Sequence, residues 1–106
     1  MTDTFVFRAE KLVAAVRAVV AAAGSSAEEA QQVAANLVEA NLRGHDSHGV
    51  GMVPRYVDAV LEGGLALDAH VRVVNDGGSL LTLDGMHGYG QVIGAEAMAL
   101  GADRAK

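Results

Sequence analysis

From Ala9 onward apolar residues return every three or four positions in two successive runs, and that period commits the first part of the chain to helices. Leu12, Val13, Val16, Val19 and Val20 form the stripe of the first run, and Gly24 supplies its stop. Ser26-Ala27-Glu28-Glu29 then reads as a capping box: the Ser26 hydroxyl accepts from the Glu29 N–H while the Glu29 carboxylate reaches back to the N–H of Ser26. The second stripe is Ala30, Val33, Ala34, Leu37, Val38 and Leu42, with Gln31, Gln32, Glu39 and Arg43 outside and Gly44 at the end. So short a connection makes the two helices antiparallel neighbours. Ahead of them, Thr4-Phe5-Val6-Phe7 alternates as a short edge strand would.

Past Gly44 the period breaks. His45 to Met52 reads as a loop, and Val53, Val57, Val60 and Leu61 mark a third helix, with Pro54 in its first turn and Gly63-Gly64 after it. Val71–Val74 and Ser79–Leu83 read as strands flanking Asn75-Asp76-Gly77-Gly78, the turn of a β-hairpin. A glycine-rich loop, Asp84 to Gly90, leads into a helical run still unbroken at Lys106. No cap, glycine or proline follows it, so the chain is expected to be the beginning of a longer one. The class is α/β overall and α+β within these residues. Residues 1–68 form a mainly helical segment, and residues 69–106 begin a second, truncated domain.

With only two Phe and two Tyr, the core must be assembled from Val, Ala and Leu. Each such side chain contributes no more than about 1.5–3 kcal/mol on full burial, Ala less. A net charge of −5, with its few Lys and Arg scattered, excludes nucleic acid as a partner. The absence of cysteine excludes disulfides, thiolate catalysis and Cys-based metal sites. The longest apolar stretch, Leu12 to Ala23, contains Arg17, and no basic segment followed by an apolar one opens the chain. The reading is a soluble, cytoplasmic protein with no membrane partner.

The reactive side chains crowd into Arg43-Gly44-His45-Asp46-Ser47-His48-Gly49-Val50-Gly51-Met52-Val53-Pro54-Arg55-Tyr56, a loop held between two helices. Hydride transfer at C2 of a 2-hydroxy or 2-oxo acid needs a group that takes or gives the oxygen's proton, and a histidine of ordinary pKa near 6.5 suits both directions. His48 is the candidate. Arg55 could bind the substrate carboxylate bidentately, and Ser47 and the backbone N–H groups beside Gly49 could hold the remaining oxygens. Asp46 could orient a neighbouring imidazole. A metal site on His45 and His48 would lack further ligands, because neither His70 nor His87 has a ligand-spaced partner.

Ser47-His48-Gly49-Val50, preceded by Arg43-Gly44-His45-Asp46 and followed by Pro54-Arg55-Tyr56, resembles the signature region of the malate/L-lactate dehydrogenase family. Asp84-Gly85 after a Leu-rich strand and Gly88-Tyr89-Gly90-Gln91 opening an Ala-rich helix are similar in order and spacing too. The resemblance implies that this is the amino-terminal third of an oxidoreductase moving hydride between NAD or NADP and a 2-hydroxy or 2-oxo carboxylic acid such as malate or lactate. It also implies a homodimer when full length, and a hairpin and helix that begin a non-Rossmann dinucleotide-binding domain. Ser47 and His48 then lie by the nicotinamide and the substrate, and the fragment alone is expected to be inactive. Many members carry an arginine four residues after the histidine for the substrate carboxylate. Here that position is Met52, so the role passes to Arg55. Gln91 stands where ureidoglycolate enzymes have a histidine, which argues against that specificity.

Gly88, Gly90 and Gly94 before the last helix could cradle a phosphate, with Gly90 a cofactor contact, but the spacing is unusual and a tight turn with close helix packing explains them better. The rival to an enzyme is a truncated, non-catalytic remnant that only dimerises through its helices. A further rival is a metal-dependent hydrolase.

Overall fold

The computed structural model describes residues 3–106. Helices α1 (Ala9–Ala22) and α2 (Ala27–Leu42) come first, then two short 3-10 turns, Asp46–His48 and Val50–Met52, that lead into α3 (Val53–Glu62). Strands β1 (Arg72–Gly77) and β2 (Leu80–Asp84) form an antiparallel hairpin, and α4 (Gly90–Arg104) follows. The mixture of four helices and one hairpin is the α/β class expected. Among the described helices none is long and apolar enough to cross a membrane.

α2 is the spine. Ala30, Val33, Ala34 and Leu37 are all but inaccessible and pack with Val16 and Val20 of α1 and with Tyr89 and Val92 at the start of α4. A bond from the Arg17 guanidinium to Gln31 Oε1, at 2.8 Å, links α1 to α2 at positions nearly equidistant from the turn between them. Gly24, at φ 121°, makes that turn, a conformation that costs residues with a Cβ. The stripe predicted for α2 is correct except at its end: Leu37 is 1% exposed, whereas Leu42 is 66% exposed. Leu42 lies in the last turn, on an open groove it shares with Phe5, Phe7, Ala9 and Leu12.

The α2 N-terminus is half a capping box. The Ser26 hydroxyl accepts from the Glu29 N–H at 3.2 Å, as expected. The Glu29 carboxylate does not return to Ser26: it is buried, and its Oε1 accepts from the Ser25 hydroxyl at 2.8 Å and the Asp68 N–H at 3.0 Å. Asp68 takes the vacated role, its two carboxylate oxygens accepting from the Ser26 N–H at 3.0 and 3.1 Å. These bonds hold the Asp68 carboxyl below its ordinary range. Asp68 itself has φ 52°, a strained geometry for a residue with a side chain.

Two expectations about strands also need correction. Residues 4–7 form no strand: they pair with none of the described residues, and Phe5, Val6 and Phe7 are exposed. The hairpin turns two residues later than predicted, at Gly78-Ser79, so that Asn75 and Asp76 pair with Thr82 and Leu81. An irregularity between Val73 and Asn75 absorbs the shift, and Gly78 supplies the positive φ, 61°, at the turn. α4 runs to Arg104, and the Ala105 N–H still donates to the Gly101 carbonyl at 3.0 Å.

Candidate active site

The polar loop is built by the way α2 ends. Gly44, at φ 79°, turns the chain out of the helix, and the His45 N–H donates back to the Ala40 carbonyl at 2.8 Å. Three short-range bonds then wind the loop tightly: His48 N–H to His45 O (3.0 Å), Gly49 N–H to Asp46 O (3.1 Å) and Met52 N–H to Gly49 O (3.0 Å). Pro54 sits in the first turn of α3, where its missing N–H leaves nothing unpaired.

This winding brings Ser47 and His48 together. Ser47 Oγ lies 2.8 Å from His48 Nδ1, and both residues are exposed. A hydroxyl can donate to a neutral Nδ1 or accept from a protonated one, so the pair persists in both protonation states and leaves Nε2 free to exchange a proton. The His45 ring lies 4.5 Å from that of His48, tilted by 52°. Among the described residues no group of three or more His, Asp or Glu could hold a metal ion.

Other predicted residues fare differently. Asp46 does not orient an imidazole: its Oδ1 accepts from Asn41 Nδ2 at 2.8 Å. Gly49 is buried, and its N–H and that of Val50 already have partners within the chain, so neither is available for a substrate oxygen. Arg55 is exposed in the first turn of α3 and forms no ion pair among the described residues. Met52 leans on the core. In the glycine-rich stretch, a Cβ on Gly88 would meet Ala69 at 2.8 Å and Ile93 at 3.2 Å, which is the close packing expected, whereas one on Gly90 or Gly94 would meet nothing.

Sequence reasoning missed Asn41 and the pair Tyr56 and Tyr89. Asn41 gave no motif signal at the end of a helix. Tyr89, 2% exposed and set edge-on to Tyr56 with ring centroids 5.5 Å apart, fills the gap between α2, α3 and α4. Burial pushes its hydroxyl above the ordinary phenol range. Gln91 Nε2 donates to the Tyr56 hydroxyl at 3.0 Å while Gln32 Nε2 donates to the Gln91 carbonyl at 2.9 Å. The helices on either side of the polar loop are thus linked to each other through Gln91. The signal available was an aromatic between two glycines in a chain with only four Phe and Tyr.

Residues 7–106 match the model of the malate/L-lactate dehydrogenase family. Hydroxycarboxylate dehydrogenase B of Escherichia coli O157:H7 is 46% identical over 99 residues, which are 93% of this chain and 27% of that protein. Malate dehydrogenase of Pyrococcus abyssi is 45% identical over 83 residues, 78% of this chain and 23% of that protein. The solved malate dehydrogenase of Pyrococcus horikoshii superposes with a TM-score of 0.86 at 37% identity, covering 97% of this chain and 31% of that one. The chain therefore spans between a fifth and a third of these relatives' lengths. With the match extending across all four helices, the hairpin and the Ser47-His48 loop, the chain belongs to the malate/L-lactate dehydrogenase family.

Proposed function

We propose that this chain supplies the acid/base loop of an oxidoreductase that exchanges hydride between NAD or NADP and C2 of a small 2-hydroxy or 2-oxo carboxylic acid such as malate or lactate. The observation that carries the reading is the exposed Ser47–His48 pair at 2.8 Å on a loop between α2 and α3. Relatives named as hydroxycarboxylate, malate and sulfolactate dehydrogenases support the substrate class.

In the oxidative direction His48 accepts the hydroxyl proton as the C2 hydride leaves. In the reductive direction it returns that proton to the C2 oxygen. Ser47 steadies Nδ1 throughout. Arg55, exposed and without an ion-pair partner among the described residues, binds the carboxylate. The nicotinamide supplies hydride acceptance and donation. His48 and the open backbone at Gly90, where α4 begins, are the residues here that would touch the cofactor. In this reading residues 1–68 carry the Ser-His loop and residues 69–106 begin the cofactor domain of a cytoplasmic homodimer.

The test is His48→Ala in the complete enzyme. Turnover should fall about 10²- to 10⁴-fold with the fold retained. Near-normal turnover would refute the assignment. The rival, a helical dimerisation module without catalysis, is not favoured, because the relatives are dehydrogenases.

A further inference from the structure

We propose that Asn41 is the positioning residue of the Ser-His loop: one carboxamide in the last turn of α2 holds both ends of the 46–50 segment and so fixes where the His48 imidazole stands. The inference rests on the acid/base role of His48 proposed above. Asn41 Nδ2 donates to Asp46 Oδ1 at 2.8 Å, and Asn41 Oδ1 accepts from the Val50 N–H at 2.8 Å. These anchors lie two residues before and two after His48. Between them the backbone is pressed onto the amide, since a Cβ on Gly49 would stand 2.3 Å from Asn41 Oδ1.

Both tasks need a donor and an acceptor on one short planar group, which a carboxamide provides. A carboxylate at position 41 would lose the donor and set a second negative charge against Asp46, and an aliphatic side chain would leave both anchors unmade. Asn41 bonds to neither Ser47 nor His48, so it acts through the loop ends it holds, the Asp46 carboxylate and the Val50 N–H. Displacing a catalytic group by about 1 Å is enough to cost on the order of 10²-fold in rate.

The experiment compares Asn41→Leu, Asn41→Asp and His48→Ala with wild type in the full-length enzyme. It reads kcat and KM, the variant-to-wild-type rate ratio against pH, and hydrogen exchange at the Val50 amide. Asn41→Leu is expected to lower kcat about 10- to 100-fold, to change KM far less, and to speed Val50 exchange while the amides of α1 and α2 stay protected. For Asn41→Asp the rate ratio should rise as pH falls into the carboxylate range, because protonation restores the missing donor. Asp46 is the ionisable group bonded to position 41, and the adjoining groove is lined by Phe5, Phe7, Leu12, Val38 and Leu42, none of which titrates. His45 and His48 lie on the same loop and are present in both proteins, which is why the ratio rather than the raw rate is read. Wild-type kcat in Asn41→Leu beside a crippled His48→Ala overturns the positioning role alone. Full turnover in His48→Ala overturns the acid/base reading on which it rests.

Discussion

Leu37 and Leu42 share a helix and a chemistry but not an environment, so truncating each to alanine tests how the core is drawn. Leu37→Ala removes three carbons from a side chain that is 1% exposed. At about 0.8 kcal/mol per carbon, transfer alone costs about 2.4 kcal/mol. The core cluster it belongs to is built mostly of Val and Ala, short side chains that cannot reach into the space left, so a cavity term adds to this, bringing the total to about 3–5 kcal/mol. Leu42 keeps about two-thirds of its surface in water, and truncating it costs at most about 0.8 kcal/mol with no cavity formed. Urea unfolding of the 106-residue chain reads the difference: Leu37→Ala should lower the midpoint by about 1 M or more at unchanged slope, while Leu42→Ala barely moves it. Similar shifts for the two variants would refute the placement of the core's edge.

Gly49→Ala should destabilise the loop and slow turnover in the full-length enzyme, whereas Gly51→Ala, whose Cβ would meet nothing within 4 Å, should leave thermal stability within about 0.5 kcal/mol of wild type. Equal melting temperatures for the two variants would contradict the close approach to Asn41. Asp68, with its folded-state pKa lowered by the Ser26 bonds, releases its proton more readily folded than unfolded, so its contribution to stability is present above 3.8 and lost as pH falls through the lower folded value. Asp68→Asn should flatten the acid limb of a urea-midpoint-against-pH curve; an unchanged limb would argue against it. His70 Nδ1 lies 2.5 Å from Glu96 Oε1, and hydrogen bonding and charge from Glu96 raise the imidazole pKa above 6.5. Its stabilisation is therefore full below 6.5 and lost as pH rises through the folded value. An NMR titration should find the His70 midpoint above 6.5 in wild type and lower in Glu96→Gln, and identical midpoints would remove the pair from the account.

What could be read from the sequence was governed by local physics. Helical period, the Ser26 cap and the stops at Gly24, Gly44 and Gly63 depend on neighbours within a few residues, and each is where the pattern put it. The failures in the fold turn on partners that the local pattern does not name. Asp68 displaces Glu29 from the N–H of Ser26 across 42 residues, and nothing near Ser26 announces it. The hairpin register depended on choosing between Gly77 and Gly78 as the turn residue, and pairing across the strands made that choice. Phe5–Phe7 had strand propensity without a strand to pair with. For the site, the motif delivered Ser47 and His48 as a contact, while the Gly49 N–H is taken by the Asp46 carbonyl within the loop and the Val50 N–H by the Asn41 amide, which no motif marks.

α2 has a further consequence as a lever. Asn41 stands fifteen residues from Ser26, about 22 Å along the axis at 1.5 Å per residue. At that arm length a tilt of about 2.5° about the Ser26 end carries the Asn41 end sideways by about 1 Å, the scale at which catalytic alignment fails. Asp68 and Glu29 seat the near end of this rod, so a substitution that shifts either would, on this geometry, be felt at a loop they never touch. Changes at the Ser26 pivot should register in the behaviour of His48 before they register as loss of the fold.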